Sequence, residues 1–186
     1  MSLRVKNPQV EEKLKDIKLV IFDVDGVMTD GSAYFSDEGL AMKAFSMRDG
    51  FGFVMGKAAG LDFAVITGNV VELLKRRLEK FKIDRIKGGH FRKTGYFQEI
   101  LDETGFSPEQ TVYIGDDLFD IPVLRSVGVS MAPSDAHEEV LAMVDVVIET
   151  PGGHGVIREA VEAIVKAKGL WEDVLLRIEG DEAGGL

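Results

Sequence analysis

The sequence predicts an α/β fold of three layers, a parallel central sheet covered by helices on both faces, and three observations carry this. Short apolar runs suited to buried strands alternate with stretches of helical periodicity along most of the chain. Three of those runs end on residues with chemistry to offer, Asp23, Thr67-Gly68 and Gly115-Asp116. The length of 186 residues suits about one core, and 45% hydrophobic with 29% charged residues is ordinary globular composition. Residues 1–186 are therefore expected to form a single domain.

Pro8, Val10, Leu14 and Ile17 are spaced as in a short amphipathic helix, and Lys18 to Phe22 follows as a compact apolar strand. Ser32 to Phe45 breaks the alternation: Ala33-Tyr-Phe35 and Met42-Lys-Ala-Phe45 flank Ser36-Asp-Glu-Gly39, a hairpin signal, so residues of about 32–46 are expected to form a small flap. Further helices are expected over Phe51 to Ala59, Val70 to Phe81, Thr94 to Glu103, Ile121 to Val127 and Asp135 to Val144. Strands are expected at Phe63 to Ile66, Thr111 to Ile114, Val127 to Met131 and Val144 to Ile148. Beyond Gly155, the positions Ile157, Ala160, Val161, Ile164 and Val165 mark a last helix packed on the sheet. The tail of about 169–186 turns acidic and Gly-rich, and its end is expected to be mobile. The order of elements is Rossmann-like.

Lys and Arg number 22 against 32 Asp and Glu, a formal charge of -10, which disfavours nucleic acid and anionic membrane surfaces as partners. A phosphate ligand would need a bound cation, a few placed basic residues or backbone N–H groups. The chain has no Cys, which excludes disulfides and thiolate metal sites and fits a reducing compartment. No run approaches the ~20 apolar residues of a membrane-spanning helix. A cytoplasmic protein with no membrane partner is expected.

In an open parallel sheet, ligands gather outside the carboxyl ends of the strands. Here those ends carry Asp23-Val-Asp25-Gly26, Thr67-Gly68 and Gly115-Asp116-Asp117. Carboxylates brought together repel one another unless a cation compensates. With oxygen donors, no Cys and few His, that cation is expected to be Mg2+ rather than zinc. Taken singly, each feature has a plain alternative. Asp-x-Asp-Gly also makes turns, Thr67 also suits a strand end, Lys93 a solvated surface, and Gly115-Asp116-Asp117 a helix cap. His90, His137 and His154 have no metal-ligand spacing and read as loop or surface residues.

Residues 18 to 31 resemble the first motif of the haloacid dehalogenase superfamily. Thr67-Gly68 is similar to the second motif, Lys93 to the third, and Gly115-Asp116-Asp117-Leu118-Phe119-Asp120 to the fourth, in the right order from about Lys18 to Ile148. The resemblance implies Asp23 as a nucleophile forming an aspartyl phosphate and Asp25 as general acid and base. It implies a metal held by Asp23, the Asp25 backbone carbonyl and Asp116, with Asp117 and Asp120 orienting the site behind them. Thr67, Gly68 and Lys93 would hold the phosphoryl oxygens.

Gly26-Val-Met-Thr-Asp-Gly31, Phe45-Ser-Met-Arg-Asp-Gly50 and Gly152-Gly-His-Gly-Val-Ile-Arg-Glu159 narrow the resemblance. They point to the branch that has no cap domain and includes the 3-deoxy-D-manno-octulosonate 8-phosphate phosphatases of lipopolysaccharide precursor synthesis. That branch implies a phosphorylated sugar acid as substrate and a homotetramer whose neighbouring subunits complete each site. Arg48, Asp49, Asn69 and Arg77 are the candidate substrate contacts, with surface or salt-bridged positions as the alternative for the two arginines. The branch usually has Arg where this chain has Asn69, which leaves N-acylneuraminate 9-phosphate as an alternative substrate. A non-catalytic regulatory domain would be expected to lack one of the chemical residues, and all are present. A sugar phosphomutase would call for a cap to shield the phosphoenzyme, and dehalogenation at carbon suits neither Asp25 nor the metal set.

Overall fold

The computed structural model describes residues 3–180. A seven-stranded sheet runs in the order β1-β9-β8-β7-β2-β5-β6. It is built from β1 (Leu3–Val5), β2 (Leu19–Phe22), β5 (Asp62–Thr67), β6 (Ile86–Gly88), β7 (Thr111–Ile114), β8 (Val129–Pro133) and β9 (Val146–Ile148). β1 pairs antiparallel with β9 at one edge, and every other pairing in this sheet is parallel. β3 (Tyr34–Ser36) and β4 (Gly39–Met42) form a separate antiparallel hairpin. The helices are α1 (Val10–Asp16), α2 (Met47–Ala58), α3 (Glu72–Glu79), α4 (Lys93–Thr104), α5 (Ile121–Leu124), α6 (Glu138–Met143), α7 (Val156–Ala167) and α8 (Trp171–Glu179).

Side chains on a strand point alternately to opposite faces, and the apolar runs of β2, β5 and β7 serve two cores at once. Val20, Phe22, Phe63, Val65, Val112 and Ile114 enter the core under α1, α2, α3, α7 and α8. Leu19, Ile21, Ala64, Ile66 and Tyr113 enter the core under α4, α5 and α6. Phe53 of α2 anchors the first core, with ring centroids 5.6 Å from Phe22, 5.2 Å from Phe63 and 5.3 Å from Phe81. α7 buries Val156, Ile157, Ala160, Val161 and Ile164 at the periodicity read from the sequence.

Three elements depart from the expected list. β1 and β6 are three residues each, too short to show a period in sequence. The acidic tail begins with α8, for which no helix was expected; it buries Val174 and stacks Lys166 over Trp171 at 4.3 Å. The expected mobility of the chain's end concerns residues 181–186, which lie outside the described residues. Among the described residues, no helix is long and apolar enough to cross a membrane.

The sheet's register sets up the site. β2 lies between β5 and β7, with Phe22 opposite both Val65 and Ile114. The chain therefore leaves β2, β5 and β7 side by side at their carboxyl ends, at the point where the strand order reverses direction.

Candidate active site

Asp23 is the first residue beyond β2, and its N–H continues the ladder by donating to Ile114 O at 2.9 Å. Its Oδ1 accepts from Val24 N at 2.7 Å, and its Oδ2 lies 2.6 Å from Lys93 Nζ. Lys93 opens α4, an unfavourable place for a cation because the helix dipole is positive there. Two carboxylates offset this: Asp23, and Asp120 with Oδ1 2.7 Å from Nζ. Burial would lower the Lys93 pKa, but the charges of Asp23 and Asp120 outweigh it and raise it, so the ammonium is held in its charged form.

Asp120 has every acceptor position occupied. Oδ1 takes Lys93 Nζ and the Tyr113 hydroxyl, and Oδ2 takes the backbone N–H of Asp116 at 3.0 Å and of Asp117 at 3.2 Å. It is an orienting group with no free oxygen for a metal. Asp117 turns away to cap the short turn Leu118–Asp120, accepting from Leu118 N at 2.7 Å. Asp116 Oδ1 differs from both: it is buried and has no hydrogen-bond partner.

One carboxylate oxygen each from Asp23, Asp116 and Asp120 lies within 4.8 Å of the others. Burial pushes Asp23 up to about 7, with Lys93 pulling it down and Asp120 pushing it further up. Burial and then the charge of Asp23 push Asp116 up to about 8. Three carboxylates against one ammonium leave the cluster short of positive charge, and the orphaned Asp116 Oδ1 marks where it is missing. The donor set is all oxygen, which fits a hard divalent cation such as magnesium. Gly26 makes room for this arrangement: its φ of +86° suits glycine, and a Cβ there would fall 2.0 Å from Asp116 Oδ2.

The cluster floors a cleft of about 400 Å³. Asp25, Gly31, Gly68, Asn69, Phe91 and Phe119 also line it. Asp25 is half-buried and paired with Lys43, which follows the β3–β4 hairpin. Thr67 is fully buried at the end of β5, with its hydroxyl accepting from Asn69 N at 3.3 Å. The Gly152-Gly153 turn backs the loop after Asp23 through Gly153 N, which donates to Val27 O at 3.0 Å. His90 and His137 accept through Nδ1 from nearby backbone N–H groups, and the Nδ1 of His154 lies 2.7 Å from Gly152 O. Each histidine is thus engaged locally with the backbone.

The structure thus brings together Asp23, Asp25, Gly68, Asn69, Lys93, Asp116, Asp117 and Asp120 in one cleft. It places three expected substrate contacts elsewhere. Arg48 lines a second cleft of about 330 Å³ with His154, Arg158 and Glu162. Arg77 donates to Ser46 O at 3.0 Å and stacks over Phe81, 5.0 Å from the ring centroid. Asp49 is fully buried in the first turn of α2, where Oδ1 accepts Arg158 N at 3.0 Å and ties α2 to the start of α7. The resemblance alone named these residues as candidate substrate contacts; the contacts seen for Asp49 and Arg77 are packing contacts between elements. Four residues of the site were not foreseen: Lys43, Tyr113, Phe91 and Phe119. Tyr113 carried a legible signal, as a hydroxyl in an otherwise apolar strand leading to Gly115-Asp116.

Asp49 gives a test of its own. Burial pushes its pKa up to about 6, against the backbone N–H groups of Arg158 and Ile157 and the Arg77 charge, which lower it. A carboxylate raised in the folded state contributes stability that is fully present below its unfolded pKa and is lost as pH rises through the folded one. Between pH 4 and 7.5, the unfolding free energy of Asp49→Asn should therefore gain on the wild type by roughly 2–3 kcal/mol. Urea unfolding at the two pH values measures this, and a pH-independent difference would show that Asp49 is not buried as a charge.

Residues 57–159 match the haloacid dehalogenase-like hydrolase family. The chain is 36% identical over 163 residues to the 3-deoxy-D-manno-octulosonate 8-phosphate phosphatase of Salmonella typhimurium, covering 88% of this chain and 87% of that one. The crystal structure of the Yersinia pestis enzyme of the same name superposes with a TM-score of 0.86 at 38% identity, covering 89% of each chain. The Moraxella catarrhalis enzyme of that name, in complex with magnesium, phosphate and KDO, superposes with a TM-score of 0.87 at 31% identity, covering 91% of this chain and 98% of that one.

Proposed function

The chain belongs to the haloacid dehalogenase-like hydrolase family, and from that premise we propose that it is a magnesium-dependent phosphatase of 3-deoxy-D-manno-octulosonate 8-phosphate acting through Asp23. The observation that carries the reading is the pairing of Asp23 with Lys93 beside the unpartnered Asp116 Oδ1, all at the carboxyl ends of adjoining strands. The substrate class rests on the relatives, whose name specifies that ester and one of which holds magnesium, phosphate and KDO.

An Asp23 carboxylate oxygen attacks phosphorus opposite the ester oxygen, and the P–O bond to the sugar breaks as the P–O bond to Asp23 forms. Asp25, released from Lys43 and protonated from solvent before the attack, gives that proton to the departing sugar oxygen. Asp25 then takes a proton from water, whose oxygen attacks phosphorus and returns Asp23 with inorganic phosphate. Lys93 stays charged throughout and neutralises the phosphoryl oxygens together with the N–H of Gly68. Thr67 can donate its O–H to a phosphoryl oxygen on releasing its bond to Asn69 O. Magnesium would be held by the Asp23 and Asp116 carboxylates and the Asp25 carbonyl, and supplies the positive charge that the cluster lacks. Asp120 holds Lys93 and the 116–117 backbone in place.

The assembly is proposed to be a tetramer in the cytoplasm, with neighbouring subunits completing each cleft. The β3–β4 hairpin supports this, because Tyr34, Phe35 and Met42 are exposed on it and a two-stranded ribbon is marginally stable without a partner surface. The uncharged Asn69 leaves a second substrate reading open, N-acylneuraminate 9-phosphate, likewise a sugar acid with a distal phosphate. Phosphate release from both esters, with and without magnesium, decides between them. The octulosonate ester should lead by at least about tenfold in kcat/KM, ~1.4 kcal/mol of transition-state binding, and turnover should vanish on chelation. A lead for the neuraminate ester would reassign the substrate, and undiminished turnover without metal would overturn the magnesium dependence.

A further inference from the structure

Two exposed aromatic side chains stand at the mouth of the cleft, and none of the chemistry above uses them. Phe91 and Phe119 are 62% and 48% exposed. Their rings stack with centroids 4.5 Å apart and planes 25° from parallel. Both line the cleft that holds Asp23, Lys93 and Asp116. Phe91 also covers the loop after β5, since a Cβ on Gly68 would fall 3.0 Å from its ring.

Both rings are held on fixed supports. The Phe91 loop is pinned by His90 stacked on Tyr96 at 4.4 Å, by the Tyr96 hydroxyl donating to Gly88 O at 2.8 Å, and by Arg92 N donating to His90 Nδ1 at 3.2 Å. Phe119 sits in the Leu118–Asp120 turn, which Asp117 caps and Asp120 anchors. Exposing two rings to water in a pre-set stack costs hydrophobic free energy that a ligand face would recover. Among the described residues lining the cleft, Lys93 is the one cation, and it is committed to Asp23 and Asp120. Lys43, the cation paired with Asp25, is committed as well, so a substrate's carbon skeleton meets no uncommitted cation among these residues, and Phe91 and Phe119 are the apolar part of a lining that is otherwise mostly acidic.

We propose that the stacked Phe91–Phe119 pair is a specificity element, a wall that packs against the C–H face of the carbon chain next to the phosphate ester. The proposal rests on the phosphatase reading of the same cleft. It makes this chain choose among phosphate esters by the length and C–H surface of the alcohol rather than by a charge contact at this wall. An ester too small to reach the rings gains nothing from them, and a polyhydroxylated chain long enough to cross them gains binding in proportion to the surface it covers.

The test compares kcat/KM for ethyl phosphate with that for a panel of longer esters: 3-deoxy-D-manno-octulosonate 8-phosphate, N-acetylneuraminate 9-phosphate and 6-phosphogluconate. It uses the wild type, the Phe91→Ala/Phe119→Ala double variant and the Phe91→Tyr/Phe119→Tyr double variant, with the sedimentation of each measured alongside. The alanine pair should lower the ratio of the best long ester to ethyl phosphate by about tenfold, chiefly through KM. The tyrosine pair, which keeps the rings, should preserve the ratio. An equal loss on short and long esters would make the pair a mere prop for its loops, and an unchanged ratio would leave it without a role; either overturns the proposal. A smaller assembly in the alanine pair would assign the rings to packing between chains and also overturn it. If the wild type turns over ethyl phosphate as well as every longer ester, there is no selectivity for a wall to supply. If it prefers a long ester other than the octulosonate and the alanine pair loses that preference, the wall stands and the substrate assignment above falls.

Discussion

Asp23→Asn should lose at least about 10⁴-fold in turnover, the scale of removing a nucleophile, while keeping the fold. The neutral amide is nearly isosteric, so the loss falls on chemistry rather than packing. Asp23 is also a carboxylate that burial works against, with its pKa pushed up to about 7 by burial first and by Asp120 after the opposing pull of Lys93. Removing that charge relieves repulsion with Asp116 and Asp120, and Lys93 keeps Asp120 as its counter-charge at 2.7 Å. The variant should therefore unfold at a temperature no lower than the wild type without metal, and it should gain less from added magnesium because one charged ligand is gone. Phosphate release, thermal unfolding with and without magnesium, and mass spectrometry of acid-quenched enzyme measure these together. The wild type should carry a phosphoryl adduct that the variant lacks. Near-normal turnover, or an adduct that survives the substitution, would remove Asp23 from the role assigned to it.

The contrast between what sequence showed and what it hid follows from the range of the interactions. Asp23, Thr67, Gly68 and Asp116 were legible because each stands at the end of an apolar run, and parallel pairing places such ends together whatever covers the sheet. Lys93 was legible only as a motif position. Its burial between Asp23 and Asp120 depends on α4 packing on one face of the sheet, and no local pattern encodes that. Lys43 was hidden for the same reason: its pairing with Asp25 requires the chain to leave the sheet, turn through the β3–β4 hairpin and return.

Asp49 and Arg77 entered as candidate substrate contacts through the resemblance alone, and no local pattern encodes the contacts they make: Asp49 ties α2 to α7 and Arg77 ties α3 to Ser46. In the tail, the acidic, Gly-rich average over 169–186 hid the apolar face that α8 lays against the core through Val174. The aromatic wall escaped because Phe91 and Phe119 lie 28 residues apart and meet only through the cleft they border.

Asp120→Asn should be the most damaging change outside the nucleophile, and it should damage stability and rate together. Asp120 is fully buried and receives four donors: the Lys93 ammonium and Tyr113 hydroxyl on Oδ1, the Asp116 and Asp117 N–H groups on Oδ2. An asparagine has one acceptor oxygen, so its NH₂ must face one of these pairs. Pointed at Lys93 and Tyr113, it leaves a buried ammonium with Asp23 alone; pointed at the backbone, it sets three N–H donors against each other and pushes the Asp116 loop away. Breaking one side of a buried charge pair costs about 3–5 kcal/mol, and the remaining Asp23 contact puts this case near the lower end. For a chain of this length, that is a fall of roughly 6–12 °C in Tm. The rate should fall by about 10–100-fold, as for removal of a group that orients a metal site, with a higher magnesium requirement because Asp116 is no longer aimed. Thermal unfolding and the magnesium dependence of kcat separate this outcome from that of Asp23→Asn, which should lose far more rate and no stability. A variant with unchanged Tm and an unchanged magnesium requirement would mean that Lys93 and Asp116 hold their places without Asp120, and the site's rigidity would have to come from the strand ends alone.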